Sequence, residues 1–209
     1  MASTTSTFAS GGGKVTTDFG GNDYSWGIVV QTDGKILVSG MTNQDFALAR
    51  YNADGSLDST FSVDGKVTTD FGGNDFGGGV TMQSDGKILM VGESNGNFAL
   101  ARFNTDGSLD TSFDNDGKVT TNLGGVGMAG ASSVVIQSDG RILVVGSVSD
   151  SQGHGDFALV RYNANGSLDN SFGSGGKVIT DIGHEDYAAD VKVLSDGKIL
   201  VAGVTWLGN

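Results

Sequence analysis

The stretch that decides the fold runs from Asp33 to Asp58 and reads DGKILVSGMTNQDFALARYNADGSLD. Its opening motif, Asp-Gly-Lys/Arg-Ile-Leu, occurs four times, with glycines at positions 34, 86, 140 and 197 and intervals of 52, 54 and 57 residues. Self-similarity at a nearly fixed period is typical of a repeat protein, in which each unit buries its apolar faces against its neighbours.

Three further motifs recur in the same order. Phe-Ala-Leu-Ala/Val-Arg begins at Phe46, Phe98 and Phe157, Asp/Asn-Gly-Ser-Leu-Asp at Asp54, Asp106 and Asn165, and Gly-Lys-Val at Gly13, Gly65, Gly117 and Gly176. Since Asp-Gly between apolar runs is a hairpin signal, each repeat predicts four short strands, at 27–31, 35–41, 46–52 and 66–71 in the first copy. Four strands at this period are typical of a β-propeller blade.

The predicted fold class is therefore all-β, a β-propeller built of four-stranded antiparallel blades, with about four repeats per chain and one blade incomplete. The array spans 8–209, with repeats at about 20–71, 72–123 and 124–182, and a last one that combines 183–206 with 14–19. That last blade has strand four at 14–19 and strands one and two at 188–194 and 198–205, but no strand three.

Three arrangements fit this incomplete blade: the chain is a fragment of a larger propeller, two chains join into one larger ring, or four blades close with one thin blade. Because exposed strand edges pair readily with other chains, we expect self-association rather than a lone monomer.

The repeated motifs resemble the delta-60-type β-propeller repeat over about residues 8 to 206. The resemblance rests on Asp-Gly-Lys-Ile-Leu-Val-x-Gly, then Asp-Phe-Ala-Leu-Ala-Arg-Tyr-Asn-x-Asp-Gly-Ser-Leu-Asp-x-x-Phe, then Gly-Lys-Val-x-Thr. It implies a non-catalytic module of a large secreted or cell-surface bacterial protein, and therefore an extracellular or cell-surface location.

Composition excludes several classes of function. The net charge of −12, without a Lys/Arg cluster, argues against nucleic-acid binding. The chain has no Cys, so disulfides, thiolate catalysis and Cys-ligated zinc are excluded. No apolar run approaches the length of a membrane span, so we expect no membrane insertion. The first residues lack the features of a signal peptide. The 36 glycines without a single Pro indicate many tight turns.

The loop from Asn52 to Asp58 is a candidate calcium site. Side-chain oxygens at alternating positions beside a Gly bend suit a hard cation, which takes six to eight oxygen ligands. The candidate ligands are Asn52, Asp54, Ser56 and Asp58, with Asn104, Asp106, Ser108 and Asp110 in the second copy. The alternative, which we favour, is a hydrogen-bonded Asx turn in which Asp58 pairs with Arg50, as Asp110 would with Arg102 and Asp169 with Arg161. No cofactor is certain, and Ca²⁺ is the one considered.

Carboxylate pairs are expected at the opposite end of the blades. Antiparallel pairing places Asp45 near Asp70 and Asp156 near Asp181, whereas the second blade has Asn97 and Asn122 there. Facing like charges destabilise a sheet, so these pairs require solvent or a cation, and solvent is the simpler interpretation.

His154 and His184 are expected to be solvated loop residues. No arrangement typical of a nucleophilic triad is present, so an enzyme is not predicted.

Loops between blades on that end supply candidate ligand-binding aromatics. These are Tyr24, Trp26, Phe76, Tyr187 and Trp206, near amides and carboxylates. Such a combination suits sugar rings; alternatively, the aromatics pack between blades.

The main hypothesis is a non-catalytic scaffold that binds a protein partner or itself, because the repeated positions are scaffold positions. The alternative is a calcium-assisted or carbohydrate-binding, lectin-like propeller. An enzyme using the channel of the ring is a weaker third possibility.

Overall fold

The computed structural model describes residues 8, 12–124, 128–150, 152–183 and 185–206, and within them the chain is all-β, without a helix. Blade one consists of β1 (Asp23–Val30), β2 (Ile36–Thr42), β3 (Asp45–Tyr51) and β4 (Lys66–Thr69). Blade two consists of β5 (Asp75–Met82), β6 (Ile88–Ser94), β7 (Asn97–Phe103) and β8 (Lys118–Thr121). Both blades are antiparallel sheets whose strands pair in chain order.

Blade three repeats this plan with β9 (Ala129–Ile136), β10 (Ile142–Ser149), β11 (Gly155–Tyr162) and β12 (Lys177–Thr180). The last sheet contains only β13 (Glu185–Val193) and β14 (Ile199–Trp206). The predicted fold class, including one incomplete blade, is therefore confirmed.

The first strand of each blade starts earlier than the sequence pattern predicts. In blade one, β1 starts at Asp23 and continues through an irregularity between Ser25 and Gly27 before pairing in register with β2. A β-bulge inserts a residue without ending the ladder. Tyr24 and Trp26, expected on loops, therefore lie in a strand, as do Phe76, Tyr187 and Trp206.

Apolar side chains fill the space between successive sheets. One cluster joins Leu37 and Leu48 of blade one to Ile88 and Met90 of blade two, and the next joins blades two and three around residues such as Val144. A third cluster joins blade three to β13. In strand β6, in the middle of the array, the side chains of Ile88 to Val91 are fully buried on both faces of the sheet, which is why the repeat is apolar on both faces there.

The sheets are arranged as wedges around an axis. The first strands contact one another in succession, β1 with β5, β5 with β9 and β9 with β13, whereas the fourth strands show no comparable contacts. The axis therefore lies on the strand-one side, as in a propeller. Among the described residues, blade one makes no comparable contact with β13 or β14, so the array is open.

The strand predicted at 14–19 is not formed, although the segment lies where a fourth strand would. The Thr17 hydroxyl lies 2.7 Å from the Tyr51 hydroxyl, and Lys66 Nζ donates to the main-chain oxygen of Asp18. Thr121 of β8 makes the corresponding contact with Tyr162 at the boundary between blades two and three. The segment carries no ladder hydrogen bonds because no strand three lies beside it in the described part of the chain.

Candidate functional site

The seven-residue loops between strands three and four are hydrogen-bonded turns. Oδ1 of Asp54 accepts from the Ser56 amide and from the Ser56 hydroxyl, and Gly55 has φ of 86°, a conformation that glycine adopts readily. Asn165, in the third copy, accepts the same two hydrogen bonds from Ser167. An amide therefore serves this turn as well as a carboxylate does.

The second copy of the loop shows the same geometry. Asp106 accepts from Ser108, and Asn104 donates to the Ser108 hydroxyl as Asn52 does to that of Ser56. Oδ1 of Asp54, Oδ1 of Asp106 and the two serine hydroxyls therefore already accept hydrogen bonds within the protein. Calcium coordination by these loops stays a prediction.

The ion pair predicted at the end of each loop is confirmed in all three copies. Arg50 Nε lies 2.7 Å from Oδ2 of Asp58, and the corresponding distances are 2.7 Å for Arg102 with Asp110 and 2.8 Å for Arg161 with Asp169. Oδ1 of each aspartate accepts from the hydroxyl of the residue two positions later.

Among the three aspartates of these ion pairs, Asp110 has the most strongly lowered pKa. Burial alone would raise the pKa of the Asp110 carboxyl. Hydrogen bonds from Lys87 and Ser112 and the charge of Arg102 nevertheless hold that pKa well below its ordinary value. A carboxylate that is kept ionised by a guanidinium and an ammonium group is suited to structure rather than to proton transfer.

Each guanidinium also packs on an aromatic ring and, in two copies, reaches the next blade. The Arg102 guanidinium lies 4.5 Å from the centre of the Phe113 ring, and its Nη1 donates to the main-chain oxygen of Ala164 in the following loop. Arg50 stacks on Phe61 and donates to Thr105 in the same way. The sequence motif contained these phenylalanines, but nothing in it showed that the arginine joins two blades.

At the other end of the blades, carboxylates gather in threes. Asp45, Asp70 and Asp75 form one group, with one carboxylate oxygen of each within 4.8 Å of the others, and Asp156, Asp181 and Asp186 form a second. The pairs Asp45–Asp70 and Asp156–Asp181 were expected from strand pairing. The third members were missed, because they belong to the first strand of the following blade.

Burial and repulsion within each group both act to raise the pKa of one member. Burial, together with the charges of Asp70 and Asp75, raises the pKa of Asp45. Burial likewise raises the pKa of Asp156, with further contributions from Asp181 and Asp186.

The candidate ligand-binding aromatics are distributed over three sheets. Tyr24 and Trp26 stack with ring centres 5.9 Å apart. Tyr187 lies opposite Val204 in the ladder, so it shares a face with Trp206, two residues further along β14. Phe76 lies on β5, in a different blade from the other four. All five side chains are exposed, and no described contact gathers them into one site.

The uncovered face of blade one carries a groove of about 430 Å³. Its wall includes Tyr24, Ile28 and Val38 from the blade, and Val15 and Phe19 from the 14–19 segment. In blades two and three the equivalent surface is covered by the preceding blade. The groove is therefore a blade-packing surface without its neighbour.

His154, the histidine among the described residues, makes a surface contact. Its Nδ1 lies 3.2 Å from Oδ2 of Asp150, within hydrogen-bonding distance. His184 lies outside the described residues. In the described part of the chain, no helix has the length and hydropathy to cross a bilayer.

Wedge-shaped four-stranded sheets packed face to face define the class: the chain is a β-propeller repeat protein. Residues 31–61, 83–113 and 137–172 match the model of a family described as "Domain of unknown function (DUF5122) beta-propeller". Each match covers strand two, strand three and the loop that follows. This finding supports a β-propeller repeat family. The comparison with curated proteins gave no match.

Solved structures match the chain at low sequence identity. A protein of unknown function from Bacteroides caccae is 16% identical over 93% of this chain and 60% of its own, with a TM-score of 0.51. A virginiamycin B lyase from Staphylococcus aureus is 12% identical over 89% of this chain and 51% of its own, with a TM-score of 0.49. A gluconolactonase from Xanthomonas campestris is 12% identical over 86% and 69%, with a TM-score of 0.37. The chain thus spans about 60% of the length of the Bacteroides protein.

Proposed function

We propose that this chain is a non-catalytic β-propeller scaffold of the delta-60 type, in a secreted or cell-surface bacterial protein, that completes a larger ring by associating with a second copy of itself. The observation that carries this proposal is the open array. A sheet with an unpaired edge lies at one end, and a strand-four segment without a sheet lies at the other.

The first end presents an apolar packing face. Ile28 and Val30 on β1 are about two-thirds exposed, at 67% and 66%, whereas the strand-one positions of inner blades contact a neighbour. Exposed apolar area of this kind, contiguous with a groove, marks an interaction surface.

The last sheet presents the complementary need. On β14, Leu200, Val204 and Trp206 are exposed, and β14 pairs only with β13. Its outer edge therefore offers a row of unpaired backbone groups, which favours pairing with a further strand. Covering this sheet with the first blade of another copy would bury both faces at once, as inside the array.

Such a contact is head to tail, because the two surfaces differ. A head-to-tail contact gives a closed ring if the rotation between copies closes, and a filament if it does not. In the ring, the repeated positions build the scaffold, and the segments that differ between blades are presented at its rim to a partner. Positioned connections on a rigid scaffold are where binding residues concentrate.

The mass of the particle in solution tests the proposal. Size-exclusion chromatography with light scattering should give twice the 21.3 kDa chain mass. Val204→Glu places a charge on the exposed face of β14 and should return the protein to one chain per particle. Val63→Glu is the matched control, since Val63 is exposed in a loop outside both ends.

Three results would oppose the proposal. They are a monomer at every concentration up to the millimolar range, an equal loss of association in both variants, and a catalytic turnover that maps to the blades. The first two remove self-association, and the third removes the non-catalytic scaffold.

A second candidate, a carbohydrate-binding propeller, is favoured by one observation, the exposed Tyr24–Trp26 stack. Paired aromatic rings beside polar groups can hold the apolar face of a sugar. A glycan array with the wild type and with Trp26→Ala tests this: a hit that is lost in the variant supports it, and the absence of any hit removes it. Calcium-assisted binding would show the same hits only in the presence of Ca²⁺.

A further inference from the structure

Two blade junctions bring three aspartates together from three different chain positions. In the first junction, Asp45 opens β3, Asp70 follows β4, and Asp75 opens β5 of the next blade. Asp70 is exposed, Asp45 is half-buried and Asp75 is buried. The group therefore extends from the solvent into the corner between two blades.

The buried member has an unused oxygen. Asp75 is 0% exposed, its Oδ2 accepts from the Phe71 amide at 2.7 Å, and its Oδ1 is buried without a hydrogen-bond partner. Leaving a charged oxygen both desolvated and unpaired costs free energy. One oxygen of each of the three carboxylates lies within 4.8 Å of the others, so a cation bound within the group would offset the buried charge of Asp75.

The second junction has the same construction. Asp186 is 0% exposed, its Oδ2 accepts from the Ile182 and Gly183 amides, and its Oδ1 accepts no hydrogen bond of ordinary geometry. The hydroxyl of Thr205, opposite Asp186 in the ladder, nevertheless lies close enough to lower the pKa of this carboxyl.

Within the described part of the chain, no ion pair supplies the missing positive charge. Among the described residues, none of the six carboxylates takes part in a salt bridge. The nearby Lys118 donates its Nζ to the main-chain oxygen of Asp70 rather than to a carboxylate. Three mutually repelling carboxylates are therefore left uncompensated at each junction.

The sequence itself provides a comparison at the intervening junction. There the three corresponding positions are Asn97, Asn122 and Ala129, whose amide donates to the Gly96 oxygen as that of Asp75 does to the Gln44 oxygen. All three carboxylates are replaced together where one is replaced. The scaffold itself therefore does not need any of them, and their joint presence indicates a shared ligand.

We infer that each triad, Asp45–Asp70–Asp75 and Asp156–Asp181–Asp186, binds one hard divalent cation, with Ca²⁺ as the best match. Carboxylate oxygens are the ligands that Ca²⁺ prefers, and the exposed side leaves room for waters to complete a shell of six to eight oxygens. The ion joins strands three and four of one blade to the first strand of the next. It therefore stabilises the junction between blades one and two and the junction between blade three and the last sheet.

Isothermal titration of the chelator-treated chain with CaCl₂ tests the inference, with MgCl₂ as a second probe. We expect two Ca²⁺ per chain, and a melting temperature that is higher in CaCl₂ than in EDTA. Asp70→Asn should reduce the stoichiometry to one, and Asp70→Asn with Asp181→Asn should reduce it to none. Asp70 and Asp181 are both exposed, and the second blade already carries Asn122 at the equivalent position. These variants should therefore keep the fold.

A matched control separates this site from the loop considered earlier. Asp54→Asn with Asp106→Asn removes the same number of charges, and Asn165 shows that the turn accepts an amide. This control should still bind two Ca²⁺. In EDTA, the Asp70→Asn, Asp181→Asn variant should melt at or above the wild-type temperature because repulsion is relieved, and in CaCl₂ below it.

The inference is overturned if the wild type takes up no Ca²⁺ or Mg²⁺ at millimolar concentration. It is also overturned if the Asp70→Asn, Asp181→Asn variant binds as the wild type does, or if only the loop control abolishes binding. None of these readings depends on the particle mass, so the self-association proposal stands or falls separately.

Discussion

Replacing Arg102 by Met should weaken the protein far more than replacing Arg161 by Met. Both guanidinium groups pair with a buried aspartate and stack on a ring, and Met keeps much of the apolar contact with that ring. Only Arg102 also donates Nη1 to the next blade, at the Ala164 oxygen, and Nη2 to a serine hydroxyl. The described contacts of the Arg161 side chain are the ion pair with Asp169 and the stacking on the Phe172 ring.

The magnitude follows from burial. The Arg102 and Asp110 side chains are each 7% exposed, and removing one partner of a buried pair costs about 3–5 kcal/mol when the other charge is left unpaired. Because Lys87 still lies 2.7 Å from Asp110, we expect Arg102→Met to fall at the lower end of that range. Arg161 is 18% exposed and lacks the inter-blade bond. Since a hydrogen bond to a charged group contributes about 1.5–3 kcal/mol, we expect Arg161→Met to cost about 2 kcal/mol less.

Thermal unfolding followed by circular dichroism, at one protein concentration, measures both variants. At roughly 2–4 °C per kcal/mol for a chain of this size, Arg102→Met should lower Tm by about 10 °C. Equal shifts in the two variants would contradict the view that the arginine holds neighbouring blades together. A shift below about 3 °C for Arg102→Met would contradict the buried pair itself.

Three further outcomes are expected. Because the pKa of Asp110 is lowered in the fold, its ionised form stabilises the protein fully at pH values well above its unfolded pKa of about 3.9. This contribution is lost progressively as the pH falls through that value towards the lower folded-state pKa, so Asp110→Asn should flatten the fall of Tm with acid. Gly146→Ala should lower the free energy of unfolding, measured by urea titration, by about 2 kcal/mol or more, because its Cβ would clash with the Gly130 oxygen. Gly130→Ala is the control: its Cβ meets nothing closer than 3.6 Å, so it should be nearly neutral in the same titration. Tyr162→Phe should cost about 1 kcal/mol, since it removes the 2.8 Å hydrogen bond to Thr121; an unchanged urea midpoint would argue against that bond.

Features that depend on neighbours in the sequence were predictable. The Asx turns are formed within seven residues, and the Arg50–Asp58 pair joins residues eight positions apart, at the end of strand three and of the turn that follows it. The pairing of Asp45 with Asp70 follows from the antiparallel register of two strands in one blade. In each case the contact lies inside one repeat, so the repeat motif contained both partners.

Features that depend on the next blade were not predictable in the same way. Asp75 joins its triad across a junction, and Arg102 reaches Ala164 across another. The start of β1 was also missed, since a Gly-rich segment reads as a loop until a bulge and a neighbouring strand show that pairing continues. The segment 14–19 has strand composition but forms no strand, because its pairing partner is not beside it.

The sequence alone determined that a unit of about fifty residues folds into a four-stranded blade, because hairpin turns and the apolar patterning of strands are local properties. Tertiary structure decided where charge and apolar surface remain uncompensated, namely the two aspartate triads and the two open ends of the array. The physical reason is that burial and electrostatic repulsion depend on distances between blades, and these are set only when one blade packs on the next.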